Sequence, residues 1–130
     1  MGKQLYFDEL VKQHDEIKLI EYLDIIQGYG HSIQHLLDSV LISAVLHGNM
    51  TAAWIVLDRG ANVNTEIHNG STPLMVASQR GNVQLVSLLL SRKANIHATS
   101  AFGKTALDYA EKRNHDHVVQ LLRQQEVLVR

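Results

Sequence analysis

Cysteine is absent from all 130 residues. That excludes disulfides and thiolate metal sites and agrees with a reducing cytosol. It does not fix the redox compartment; a cytoplasmic location is expected, with delivery into another cell's cytosol as the alternative. Aromatic residues make up only 5% of the chain, so aliphatic side chains must build any core. No apolar run approaches the roughly 20 residues of a membrane span, and the opening MGKQLYFDEL lacks the apolar centre of a signal peptide. Tyr6 stands where a myristoylation signal beginning at Gly2 would need serine or threonine. No membrane partner is expected. A net charge of -1 gives no reason to expect nucleic acid. There is no cysteine nucleophile, no glycine-rich phosphate loop and no G-x-S-x-G. Neither an enzyme activity nor a cofactor is expected.

What is present describes one globular domain, with 45% hydrophobic and 19% charged residues. The charge is uneven: residues 1–65 carry 4 basic and 8 acidic side chains, and residues 66–130 carry 8 and 5. The single proline lies in DRGANVNTEIHNGSTPLMVASQRGN, and SRKANIHATSAFGKTALDYAEKRN reads as a second copy of that stretch. A shift of 33 residues brings Gly48 onto Gly81 and Asn114, Gly70 onto Gly103, Thr72 onto Thr105 and Leu74 onto Leu107. Ala44, Ala77 and Ala110 coincide, as do Val56, Leu89 and Leu122. A fixed period of this length marks a stack of supersecondary units.

Each unit has its own logic. Thr72 caps a helix that Pro73 begins, where the missing N–H costs nothing, and Gly81 ends it. The next helix, VQLVSLLLS, is too apolar to face water along one side and needs neighbours front and back. The serines are read as cap and turn residues. Ser32 is a candidate cap for a helix over SIQHLLDSVLISAVLH, where Leu37 replaces the glycine of the later copies. One longer helix without a projecting turn is expected there. Projecting turns, here called fingers, are expected at 65–71 and 98–104.

These motifs resemble the ankyrin repeat. The likeness rests on GSTPLMVAS followed by GN and LLxxxANI, on GKTALDYA, and on LDRGANVN. It implies an all-α fold, a solenoid of stacked antiparallel helix pairs with short projecting turns. On this reading 1–31 is a degenerate capping repeat, 32–65 and 66–98 are repeats, 99–125 is a C-terminal repeat and 126–130 a tail. Met75 and Asp108 stand where the family has the histidine of TPLH, which alters the local polar network. Asn64, in LDRGANVN, resembles both an asparaginyl-hydroxylation site and plain repeat consensus.

The resemblance further implies a protein–protein interaction module, an adaptor or scaffold, more readily monomeric than oligomeric. Its expected partner surface is Glu66, His68, Asn69, Ser71, Gln79 and Arg80 on the first finger and helix. Ala101, Phe102, Lys104, Lys112 and Arg113 follow on the second. Phe102 is read as an apolar anchor or as folding back on Tyr109. The basic side chains suggest an acidic partner segment. At the 33-residue shift His14, His47, Arg80 and Arg113 form a column at the ends of first helices. Cations there complement the helix dipole and also offer a binding surface. Trp54, aligned with Ser87 and Gln120, either packs beside Tyr22 or Ile55 or anchors a partner on the convex face. Alternatives to the adaptor are that convex site and a self-associating structural protein. The pair His31 and His35 is read as a surface pair, and in the run His115-Asp116-His117, His115 is read as the end of a turn before a last helix that Asp116 starts; neither is read as a metal site.

Overall fold

A computed structural model describes residues 2–28, 33–67 and 69–128, with side chains from Tyr6 onward. The elements are α1 (Gly2–Lys12), α2 (Glu16–Gly28), α3 (Gln34–Leu46), α4 (Met50–Asp58), α5 (Pro73–Arg80), α6 (Val83–Ser91), α7 (Ala106–Lys112) and α8 (Asp116–Leu128). No strand occurs among the described residues. The chain divides into two compact units, Met1–Asn62 and Val63–Arg130.

Both units are built alike. In the first, α1 pairs with α2 and α3 with α4, while α1 packs on α3 and α2 on α4. In the second, α5 pairs with α6 and α7 with α8, while α5 packs on α7 and α6 on α8. The core follows from this double pairing. Leu85, Val86, Leu88, Leu89 and Leu90 are all buried in α6, each worth about 1.5–3 kcal/mol on removal from water. Ala44, Ala77 and Ala110, equivalent in the repeat, are each inaccessible to solvent.

Local chemistry sets the helix ends. Thr72 Oγ1 accepts from the Met75 N–H, Pro73 opens α5, and Gly81 closes it at φ 71°. Thr105 and Asp108 form a reciprocal capping box, in which Thr105 Oγ1 accepts from the Asp108 N–H and Asp108 accepts from the Thr105 N–H. Asp108, standing where the family has histidine, thus rebuilds a polar network by a different route. Met75, at the same place one repeat earlier, is simply buried.

Four expectations need correction. First, the N-terminal repeat stands 34 residues before its neighbour, not 33. The N–H groups of Asp15, Asn49, Asn82 and His115 donate to the carbonyls of Leu10, Ala44, Ala77 and Ala110. The left-handed residue just before each is His14, Gly48, Gly81 and Asn114. Gln13, and not His14, therefore precedes His47, Arg80 and Arg113 in their column. The extra residue lies between the first and second repeats, where no fixed glycine or proline marks the register.

Second, α3 is the long helix expected, but its cap position falls on Ile33, which makes no side-chain cap; Ser32 lies outside the described residues. Third, Ser43 and Ser78 are neither cap nor turn residues but buried within α3 and α5. The Ser78 Oγ has no hydrogen-bond partner among the described residues. Fourth, α8 continues to Leu128, past residue 125, where a tail was expected to begin.

Candidate functional site: a finger and helix cleft

The second unit carries both fingers, and they are closed by the same bonds. In the first, the Ile67 N–H donates to Ser71 O at 3.0 Å and the Gly70 N–H to Ile67 O at 2.8 Å. In the second, the Ser100 N–H donates to Lys104 O at 2.9 Å and the Gly103 N–H to Ser100 O at 2.9 Å. Gly70 and Gly103 have φ of 76° and 71°, a conformation costly for a side chain. The fingers are tied together by the Ala101 N–H donating to Asn69 O at 2.9 Å. Nearer the base, the Asn95 N–H donates to Asn64 Oδ1 at 2.8 Å.

Beside them lies a cleft of about 740 Å³. Six of the expected partner residues line it: Asn69, Ser71, Gln79, Phe102, Lys104 and Lys112. Glu66, Arg80, Ala101 and Arg113 are exposed but stand outside the lining. His68 lies outside the described residues. Asp108, Tyr109 and Glu111 complete the wall. They were not among the expected partner residues, although Asp108 and Tyr109, four and three residues before Lys112 on α7, share its face.

Phe102 does not fold back. It is 71% exposed, and the Tyr109 hydroxyl is instead hydrogen bonded to Ser100 Oγ at 2.9 Å. Ser100, only 6% exposed, also accepts from the Phe102 N–H at 3.3 Å. One buried hydroxyl thus holds the Tyr109 side chain and the Phe102 backbone.

The charges in the cleft balance formally, two lysines against two carboxylates, but they are not equally committed. Asp108 accepts from the Thr105 N–H at 2.9 Å, and Glu111 pairs with Arg123 at 3.0 Å. Neither Lys104 nor Lys112 has a side-chain hydrogen bond or ion pair among the described residues.

In the first unit, His14 and His47 are exposed and Trp54 is 49% exposed. The Tyr22 ring meets Tyr6 edge-on at 4.9 Å. Ser43 Oγ is 3.5 Å from His47 Nδ1, a pairing that invites a nucleophile reading. Yet Nδ1 lies 2.9 Å from the Ser43 carbonyl. A carbonyl only accepts, so Nδ1 carries the proton and cannot take one from the serine. Among the described residues no three His, Asp or Glu side chains are placed to hold a metal, and no helix is long and apolar enough to cross a membrane. His35 is exposed, while His31 lies outside the described residues.

Repeated helix pairs with finger turns define a helical repeat protein, in which helix pairs pack on one another within each unit. A family model described as ankyrin repeats (three copies) matches residues 10–100 and again 41–129. The chain belongs to the ankyrin-repeat family and has the all-α fold of an ankyrin solenoid. Ankyrin repeats are in general protein–protein interaction modules and typically non-catalytic. A search of curated proteins finds no significant match.

Proposed function

We propose that this chain is an adaptor that binds another protein through the cleft beside its two fingers and catalyses nothing itself. The bound segment is acidic, with a hydrophobic residue close to its carboxylates. The observation that carries this reading is the unequal commitment of charge: Glu111 is ion-paired and Asp108 is held by a backbone N–H, while Lys104 and Lys112 have no side-chain partner among the described residues. An incoming carboxylate meets two ammonium groups without having to break an existing pair. Phe102, held outward beside them, offers apolar surface to a side chain of the same segment. Arg80 and Arg113 add long-range attraction from outside the cleft, and Glu66 extends the contact on the first finger, with His68 proposed to join it. In this reading the protein acts as a monomer in the cytosol, with residues 1–31 as its capping repeat.

The test begins with capture of partners by the full chain and identification by mass spectrometry, followed by affinity measurement. Lys104→Ala with Lys112→Ala is expected to weaken a captured partner by about 10- to 100-fold, or about 1.4–2.8 kcal/mol. The remaining affinity should fall further as salt rises. Binding unchanged by that double variant and by Phe102→Ala would remove the cleft as the site.

A further inference from the structure

The corrected register of the first unit brings out a second surface. Ile20 is the fifth residue after Asp15, and Trp54 is the fifth after Asn49. Asp15 and Asn49 are equivalent, since each accepts from the backbone N–H three residues on. Ile20 and Trp54 therefore hold one position in successive second helices, α2 and α4, which pack on each other. Ile20 is 37% exposed and Trp54 49%, and Ile17, one turn before Ile20, is 73% exposed. At the same position the second unit has Ser87 and Gln120, both exposed. The architecture thus accepts polar residues there. Its own repeats supply the control, and packing does not require Ile20 and Trp54 to be apolar.

The surroundings are acidic. Asp15, Glu16, Glu21, Asp24 and Asp58 lie on or cap these two helices, against only Lys18 and Arg59. Both cations are engaged: Lys18 faces Asp15 at 3.9 Å, and Arg59 pairs with Asp24 at 2.7 Å. Arg59 Nη1 also donates to Gln27 Oε1 at 2.7 Å. It pins the end of α4 to α2 and holds the two helices as one rigid face.

We propose that the seam of α2 and α4, centred on Ile20 and Trp54, is a second docking surface. Its occupant is an amphipathic helical segment of a protein, with an apolar stripe flanked by lysine or arginine. The stripe covers Ile17, Ile20 and Trp54 in the manner of a helix laid along a groove, and the flanking cations meet the surplus of negative charge on the two helices. The same surplus repels an anionic membrane surface, which selects a basic protein segment over a lipid one. The preference is opposite in sign to that of the finger cleft and does not depend on it.

Trp54 is the only tryptophan, so its emission reports on this seam alone. The probe is a helical peptide of leucine and lysine with leucines at i, i+3, i+4 and i+7. A scrambled peptide of the same composition and a leucine–glutamate analogue serve as controls. Saturable binding of the leucine–lysine peptide is expected, with a shift of Trp54 emission to shorter wavelength and affinity at least about tenfold above the scramble. With labelled peptide and anisotropy readout, Trp54→Ala and the pair Ile17→Lys with Ile20→Lys should each weaken binding about tenfold or more. All three positions are exposed, and unchanged circular dichroism would confirm that the variants fold. Lys104→Ala with Lys112→Ala should leave this binding untouched, which separates failure here from failure of the cleft. Equal binding by the scramble or by the glutamate analogue, or full binding by Trp54→Ala, overturns the proposal.

Discussion

Gly81 is the position where one added methyl group should do the most damage. Its φ of 71° costs an alanine about 1 kcal/mol or slightly more. That strain alone would make Gly81 equivalent to Gly103, whose φ is also 71°. The surroundings differ. A Cβ at Gly103 meets nothing within 4 Å, whereas at Gly81 it falls 2.5 Å from Nδ1, 2.7 Å from Cε1 and 2.8 Å from Cγ of His115. Because Cγ lies close to the backbone, the whole ring must move. Moving it breaks the bond from Nε2 to the Gln79 carbonyl, 2.9 Å long and worth about 1 kcal/mol, and overpacking adds about 1 kcal/mol or more. Gly81→Ala should therefore cost about 3 kcal/mol and Gly103→Ala about 1 kcal/mol. Asparagine sharpens the argument, because Asn114 holds the equivalent place with φ 59°. Gly81→Asn relieves most of the backbone strain and keeps the collision, so it too should be markedly destabilising. Urea unfolding with m unchanged gives each value. In a His115→Ala background the cost of Gly81→Ala should drop to about 1 kcal/mol. Equal costs at Gly81 and Gly103, or no relief when His115 is removed, would refute this account.

Asn49 is 1% exposed. Its Oδ1 accepts from the Ala52 N–H at 3.0 Å and its Nδ2 donates to the Val11 carbonyl at 2.9 Å. Asn49→Ala should cost about 2–3 kcal/mol in urea, and Asn82→Ala, where only a capping bond to Leu85 is described, about 1 kcal/mol; similar values would show that the link to Val11 contributes nothing. The Tyr6 hydroxyl is pushed up from 10.0 to about 12, chiefly by its hydrogen bond with Tyr22, then by burial and nearby negative charge. The folded state therefore holds this proton more tightly, and the stability it contributes is complete below pH 10 and lost as pH rises toward 12. A spectrophotometric titration should show a late Tyr6 phenol that Tyr22→Phe returns toward its ordinary value. An unchanged curve in that variant would disprove the pairing.

The periodic signal carried most of the helical architecture. Thr72-Pro73 and Gly81 bound α5 as their backbone chemistry dictates, and the boundaries of α6 follow from Asn82 and the leucine run. The first repeat was legible only as a pair of helices. Its offset of one residue could not be read, because no glycine or proline anchors it and a step of 33 still superposes buried positions such as Leu23 and Val56. Six of the expected partner residues converge on the cleft because period and finger turns place them there by geometry common to the family. Glu111 was missed, since its position depends on how α7 lies against the fingers.

By itself the sequence determined the repeat, the caps, the helix ends and the apolar faces, since each depends on residues close along the chain. Tertiary structure alone decided which polar groups were already committed. Asp108 is held by the Thr105 N–H and Glu111 by Arg123, whereas Lys104 and Lys112 have no side-chain partner among the described residues. Gly81 must remain glycine only because a histidine 34 residues later packs against it. Trp54 finds its counterpart in Ile20 only when backbone hydrogen bonds set the register. Such pairings depend on distances between side chains far apart in the chain, and a one-dimensional period does not contain those distances.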